Sequence, residues 1–152
     1  SARAGASSYA DAALAYLKSG VQGPRYTTWF GAVSTANYSA VRNNFTQIST
    51  AMSSAAIQFD CGCKKPYFAY VYANQPYNIF LCKAFWTAPM TGADSKAGTL
   101  VHEMSHFTVV AGTEDWVYGQ AGAKNLATTD PAKAISNADN HEYFAENVAA
   151  LP

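Results

Sequence analysis

The chain has 152 residues, of which 49% are hydrophobic and 14% aromatic, and it carries ten basic and ten acidic residues. This length suits one domain with a sizeable core, and the composition excludes an intrinsically disordered chain. The zero net charge gives no indication of a nucleic-acid or anionic membrane partner, and the longest apolar runs are too short to span a bilayer.

Helical periodicity marks the first third of the chain. Residues 7–18 alternate Ala, Tyr and Leu at helical spacing, and the pattern ends at Gly20. Residues 37–53 are predicted as a longer amphipathic helix. Its apolar stripe, which we expect in the core, comprises Val41, Phe45, Ile48 and Met52.

Three segments that are rich in aromatic and β-branched residues follow. Residues 57–60, 68–72 and 79–82 are therefore predicted as strands. In residues 68–72 the alternation of aromatics has a simple explanation, which is that one face lies on the core.

The second half of the chain is predicted to be helical. Residues 95–110 suit a half-buried helix that Gly112 ends. Further helices are expected over residues 119–128 and after Asp130, a suitable cap with Pro131 in the first turn. The fold class is therefore α+β, mainly helical with a small sheet.

The most informative feature is the sequence HEMSH at residues 102–106. On a helix, His102 and His106 lie one turn apart on the same face and can bind one metal ion, while Glu103 lies close enough to take a proton from water. The pattern predicts a zinc metalloprotease. The alternative is a solvated or core-satisfied histidine pair on an amphipathic helix.

A catalytic zinc site usually has three protein ligands, so a third one should lie nearby in space. The next candidates in sequence are Glu114 and Asp115.

The segment GTEDWVYG at residues 112–119 resembles the Gly-Thr-x-Asp-x-x-Tyr-Gly signature of the deuterolysin-type zinc peptidases, the aspzincins. The resemblance implies that Asp115 is the third zinc ligand and that Tyr118 donates a hydrogen bond in the transition state. Glu114, at the variable position, inherits no role.

The chain is most similar to one branch of that family, the fungal peptidyl-Lys metalloendopeptidases, which cut on the amino side of lysine. The resemblance covers most of the chain and runs through residues 24–31, 68–72, 84–86, 98–103 and 137–144. It implies a single zincin-like catalytic domain over residues 1–152, with the sheet beside the zinc helix. By analogy, strand 68–72 would pair with an extended substrate.

These residues define a hydrolytic mechanism. Zinc held by His102, His106 and Asp115 would activate a water molecule and polarise the scissile carbonyl. Glu103 would accept the proton of that water and pass it to the leaving amine, and Tyr118 would stabilise the oxyanion.

Specificity is assigned to Asp139 and Glu142, which face the same way on a helix. Two carboxylates in a pocket would favour a long cation, and the lysine-specific branch carries the same acids in the same setting. The alternative is an ordinary solvated acidic face. His141 points elsewhere on the helix and is expected to make a structural hydrogen bond.

The chain has three cysteines. Family resemblance implies a disulfide between Cys63 and Cys82, and leaves Cys61 without the N-terminal partner that the family provides. A zinc site made of all three cysteines is the rival interpretation.

The chain starts at Ser1 without a signal-like stretch, which suits a processed, secreted enzyme. Two sequons make Asn37 and Asn44 candidate glycosylation sites. We expect a monomer that acts on proteins or peptides containing lysine. The alternatives are a deuterolysin of broader specificity and an inactive, zinc-stabilised binding or storage protein.

Overall fold

The computed structural model describes all 152 residues. It contains eight helices and three short strands, and none of the helices has the length and hydropathy needed to cross a bilayer. The elements, in chain order, are α1 Ala2–Lys18, α2 Pro24–Phe30, α3 Thr35–Ser54, β1 Gln58–Asp60, β2 Ala69–Tyr70, β3 Asn78–Leu81, α4 Lys83–Thr87, α5 Lys96–His106, α6 Gly119–Thr129, α7 Pro131–Ala134 and α8 Ala138–Glu146.

The core lies between the long helices. Helix α1 packs on α3 and α5, and α5 packs in turn on α8. The predicted stripe of α3 is buried over its whole length, which confirms the amphipathic pattern. Helix α5 is therefore central, because it contacts both the core helices and the sheet.

The sheet has the strand order β1-β3-β2. Strand β1 is parallel to β3, and β2 is antiparallel to β3 with Ala69 opposite Leu81. Strand β2 is an edge strand that contacts α5, so the sheet lies beside that helix as expected. The predicted α+β fold class is confirmed.

Several element bounds differ from those predicted. The first helix begins at Ala2, where the Ser1 hydroxyl accepts from the Ala4 amide, and helices α2 and α4 were not predicted. Strand β2 has only two residues. Helix α5 ends at His106 instead of residue 110, because Phe107 takes a ψ of 131°.

The cysteines are arranged as the family resemblance implied. Cys63 and Cys82 form a disulfide that joins the segment before β2 to the start of α4. Cys61 is exposed and unpaired. With two of the three sulfurs joined, the rival cysteine zinc site is not formed.

In one of the two sequons, the asparagine side chain makes hydrogen bonds inside the fold. The Asn44 Nδ2 atom, which would carry a glycan, donates to His141 Nε2 at 3.0 Å and lies 3.3 Å from the Ile135 carbonyl oxygen. The structure therefore argues against glycosylation at Asn44. Asn37 lies on α3 with a half-buried side chain, and its glycosylation stays a prediction.

His141 is fully buried and makes the structural hydrogen bonds that we expected. Its Nδ1 atom donates to the Asn137 carbonyl at 2.8 Å, and its Nε2 atom accepts from Asn44. The neutral ring satisfies both partners, whereas a second proton would face the amide group of Asn44. Burial lowers the pKa of His141 to about 4.

We predict that His141 weakens the fold in acid. Its pKa in an unfolded chain is about 6.5, so the unfolded state takes up the proton first. Stability is lost as the pH falls from there, and the loss levels off below the folded-state pKa. The stability advantage of wild type over His141→Gln should shrink across this interval. Denaturant unfolding at matched zinc and salt measures it, and a pH-independent difference would contradict the prediction.

Candidate zinc centre and active site

Helix α5 carries two imidazoles on one face. The helix begins after Ser95, whose hydroxyl accepts from the Gly98 amide. One turn separates His102 from His106, and their Nε2 atoms lie 3.2 Å apart. Both rings therefore direct a nitrogen towards the same point.

A tight turn after α5 brings Asp115 back to these imidazoles. The Thr113 amide donates to the Ser105 carbonyl, and the two side-chain hydroxyls lie 2.6 Å apart. The Thr113 carbonyl accepts from His106 Nδ1 at 2.9 Å. As a result, Asp115 Oδ1 lies 3.1 Å from the Nε2 atoms of both His102 and His106.

The geometry of these three atoms fits zinc. They form a triangle with sides of 3.1, 3.1 and 3.2 Å. Tetrahedral zinc with bonds of about 2.0–2.1 Å separates its ligand atoms by about 3.3–3.4 Å. A carbonyl can only accept, so His106 Nδ1 carries a proton and the neutral ring presents its Nε2 lone pair. Two imidazoles and one carboxylate leave a fourth position open, as in catalytic sites.

The charge around the triangle also calls for a cation. Glu103, Asp139 and Glu142 all lie within 4 Å of His102, in addition to Asp115. Burial by itself would lower the pKa of His102, but hydrogen bonds to the carboxylates raise it well above its ordinary value. A bound dication would compensate this buried negative charge.

Asp139 lines the space beside the triangle, together with Glu142. Its Oδ1 atom accepts from His102 Nδ1 at 2.6 Å, and its Oδ2 atom accepts from the Gly119 amide at 2.7 Å. Each oxygen thus has one donor within the protein and can accept a further hydrogen bond, so the substrate-binding role of Asp139 stays a prediction. The geometry adds a supporting role, because such a carboxylate orients a ligating imidazole and raises its basicity.

Glu103 lies beside the triangle and is almost completely buried. One of its oxygens lies 3.9 Å from His102 Nε2. Burial raises the pKa of Glu103, and the two imidazoles oppose that shift. A carboxylate with a raised pKa is better matched to accepting and returning a proton near neutral pH.

Tyr118 borders the same space. Its side chain is exposed, and its ring lies nearly parallel to the His102 ring with centroids 6.5 Å apart. Partial loss of solvent around the phenol and the charge of Asp115 raise the pKa of Tyr118 to about 12. The phenol is protonated at neutral pH, so it can donate a hydrogen bond.

A cavity of about 740 Å³ opens at the triangle. Segment 67–71 of the β2 strand region forms one wall. On the Thr99 side of His102 the cavity is lined by Glu142, Tyr143 and Asp94, and the Tyr143 hydroxyl donates to Asp94 Oδ1 at 2.7 Å. No lysine or arginine lines it.

Glu142 lines this cavity, as does Asp139, the other predicted pocket acid. Its Oε2 atom lies 3.4 Å from His102 Nδ1. Burial raises the pKa of Glu142 to about 8, against the lowering effect of His102. A cation placed against this carboxyl group would favour its ionised form.

Sequence reasoning missed the residue that holds the loop after the third ligand. The Asn137 side chain accepts from the backbone amides of Trp116 at 2.7 Å and Val117 at 3.2 Å, and it donates to the Val117 carbonyl. It thereby fixes the loop that carries Asp115 and Tyr118. In the sequence, Asn137 was marked only by its place in segment 137–144, which resembles the lysine-specific branch of the family.

Comparison with known proteins agrees with this geometry. Residues 15–146 match the aspzincin family model, which is described as lysine-specific metallo-endopeptidase. The chain belongs to the aspzincin family. Family membership confirms the resemblance seen in the sequence, and it makes zinc the cofactor of this chain.

Individual relatives support the assignment. This aspzincin is 62% identical over 82% of its length to an extracellular protease of Aeromonas hydrophila. It is 51% identical to a peptidyl-Lys metalloendopeptidase of Pleurotus ostreatus, over 96% of this chain and 88% of the relative. A solved zinc peptidase from Grifola frondosa superposes with a TM-score of 0.96 and 50% identity, covering 99% of this chain and 93% of that one.

The chain is shorter than some of these proteins. It spans 36% of the Aeromonas relative and 42% of a peptidyl-Lys metalloendopeptidase of Grifola frondosa.

We predict that Asp139 supports zinc binding. In Asp139→Asn, the new amide group would face either His102 Nδ1 or the Gly119 amide, both of which donate. Zinc affinity should fall by about 10- to 100-fold. Titration against a competing chelator measures the affinity. Asp11→Asn, which changes an exposed acid on α1 by the same charge, is the control. Wild-type zinc affinity in Asp139→Asn would refute the supporting role.

Proposed function

We propose that this aspzincin is a secreted zinc endopeptidase that hydrolyses the peptide bond on the amino side of lysine. One observation carries the proposal. An acidic cavity that no lysine or arginine lines opens directly beside two imidazoles and a carboxylate that fit zinc. Residues 1–152 act as the catalytic domain of a monomer, its substrates are proteins or peptides that contain lysine, and no nucleic acid or membrane takes part.

The zinc ligands in this proposal are His102, His106 and Asp115. Zinc, when bound, would act as a Lewis acid that polarises the scissile carbonyl and lowers the pKa of a water molecule, so that this water can lose a proton and attack the carbonyl. Asp139 holds the His102 ring in the orientation and tautomer that binding requires.

The proton chemistry belongs to Glu103. Its buried carboxylate removes a proton from the attacking water and returns it to the amine of the departing strand. Tyr118 donates to the oxygen that becomes negative in the transition state, where a preorganised donor is worth several kcal/mol.

The lysine side chain enters the cavity on the Thr99 side of His102. Glu142 supplies its main countercharge, and Asp139 and Asp94 add further carboxylates in the same cavity. A compact ammonium with three donors can approach several separate oxygens, whereas a planar guanidinium needs a bidentate acceptor. Lysine is therefore preferred to arginine.

The comparisons support this choice over the alternatives. The Pleurotus relative is named as a peptidyl-Lys metalloendopeptidase, and it is matched over most of its length. A deuterolysin of broader specificity has no need of an acidic cavity, and an inactive binding or storage protein has no need of Glu103. Digestion of a denatured protein, with the new termini read by mass spectrometry, separates all three. New N-termini other than lysine, or no cleavage, would overturn the proposal.

We predict that substitutions of Glu103 and Tyr118 lower the activity to different extents. Glu103→Gln should keep zinc but lower kcat by about a thousandfold, because no base remains. Tyr118→Phe should keep more activity, with a loss of about a hundredfold, because one oxyanion contact is removed. Zinc content and single-turnover rates are measured together. Wild-type turnover in Glu103→Gln would refute the assignment of the base.

We predict that Glu142→Gln weakens lysine selection. A charge-assisted hydrogen bond is worth about 1.5–3 kcal/mol, so kcat/KM for a lysine peptide should fall by about tenfold to a hundredfold. A peptide with norleucine after the scissile bond reports the loss of charge recognition, since its kcat/KM should change little. Asp11→Asn is again the matched control. An unchanged lysine-to-norleucine ratio would mean that the selecting group lies elsewhere.

A further inference from the structure

A second cavity of about 260 Å³ adjoins the zinc ligands. It shares Val71, His106 and Asp115 with the larger cavity, so the two spaces meet at the metal site. Its remaining lining residues are Ala73, Thr108, Gly112, Thr113 and Glu114. None of the functional roles assigned above uses this space.

The two cavities lie on opposite sides of the zinc ligands in one cleft. Along α5, Thr99 and His102 line only the larger cavity, His106 lines both, and Thr108, just past the helix end, lines only the smaller one. Along the facing wall, residues 67–70 line the larger cavity and Ala73 only the smaller one. On both walls, therefore, the residues that line the larger cavity precede in sequence those that line the smaller one.

This order sets the direction of a bound peptide, an inference that rests on the proposed function. If the lysine that follows the scissile bond occupies the larger cavity, the residues that precede the bond must extend past His106. They enter the smaller cavity, beside Val71 and Ala73.

The smaller cavity has one charged group that is not committed to zinc. Glu114 is exposed and forms no salt bridge, and no lysine or arginine lines the cavity. Its backbone is held firmly, because its amide donates to the Ser136 carbonyl at 2.8 Å and its carbonyl accepts from the Ala138 amide at 3.0 Å. Glu114 thus lines the smaller cavity from a fixed backbone position.

We propose that Glu114 forms a second specificity subsite, which selects a basic side chain at one of the two positions before the scissile bond. This subsite lies past His106, on the other side of the zinc ligands from the lysine pocket. An arginine there meets a carboxylate, and no lysine or arginine of the protein lines the cavity. The subsite is open to solvent, so its effect on kcat/KM is a few-fold rather than a hundredfold.

The test uses peptides with one lysine and a single variable residue, placed one or two positions before it. Arginine is compared with citrulline, which has nearly the same shape and no charge, and arginine also avoids the second cleavage site that lysine would create. Competition within one digest, followed by mass spectrometry, gives the ratio of kcat/KM. Wild type should favour arginine by about threefold at one of the positions.

Three variants identify the group responsible. Glu114→Gln should bring the arginine-to-citrulline ratio to about one, and Glu114→Lys should invert it. Asp11→Asn should leave the wild-type ratio, which excludes a net-charge effect. A ratio of one in wild type, or the same ratio in Glu114→Gln, would overturn the subsite while cleavage before lysine remained intact. Cleavage before residues other than lysine would overturn the proposed function itself, together with the peptide direction.

Discussion

The arrangement of the zinc site depends on three buried carboxylates on one face of α8. They hold α5, the helix that carries His102 and His106. Asp139, Glu142 and Glu146 follow the spacing of a single helical face. Asp139 and Glu142 meet His102. Glu146 accepts from the backbone amides of Asp94 and Ser95, at 3.1 and 2.9 Å, and from the Ser95 hydroxyl at 2.8 Å.

These contacts from α8 hold α5 at two places, at His102 and at the start of the helix. Glu146 supplies negative charge to the unpaired amides where α5 begins, and the three donors offset the cost of burying it. Burial still raises the pKa of Glu146 to about 7. The fit is close, because any side chain on Gly98 would overlap the Glu146 carboxylate. The position of His102 relative to α8 therefore has little freedom, and the wall that these two helices give to the larger cavity is correspondingly rigid.

Local sequence patterns predicted the parts of the site that lie on one element. The HEMSH spacing gave the histidine pair, and the period of residues 37–53 gave the buried stripe, since each follows from helix geometry alone. Asp115 came from family resemblance. Its approach to α5 depends on a turn that Thr113 closes through contacts to Ser105 and His106, and no periodicity encodes such a turn. Asn44 shows the same limit, because a sequon does not reveal that its amide group faces His141.

The separate roles of Asp139 and Glu142 follow from side-chain length. Spacing predicted that both would share a face, which is correct, but it could not show what each oxygen meets. The shorter Asp139 reaches His102 Nδ1 and Gly119 and uses both oxygens. Glu142 is longer by one methylene and lies against His102 without accepting from a backbone amide. Both acids line the cavity, so Asp139 can support the metal site while Glu142 has more freedom to meet the proposed substrate.

Because these acids are neighbours, zinc binding and the proposed lysine recognition depend on the same buried negative charge. A bound zinc ion would offset two of the four negative charges around His102. The proton that Glu103 accepts in the proposed reaction comes from water in the same site, so it leaves the net charge unchanged. No lysine or arginine lines the cavity to offset the rest. In the proposed function a lysine side chain supplies this positive charge and favours ionised Glu142, whereas beside an apolar side chain Glu142, with its pKa of about 8, stays protonated at neutral pH.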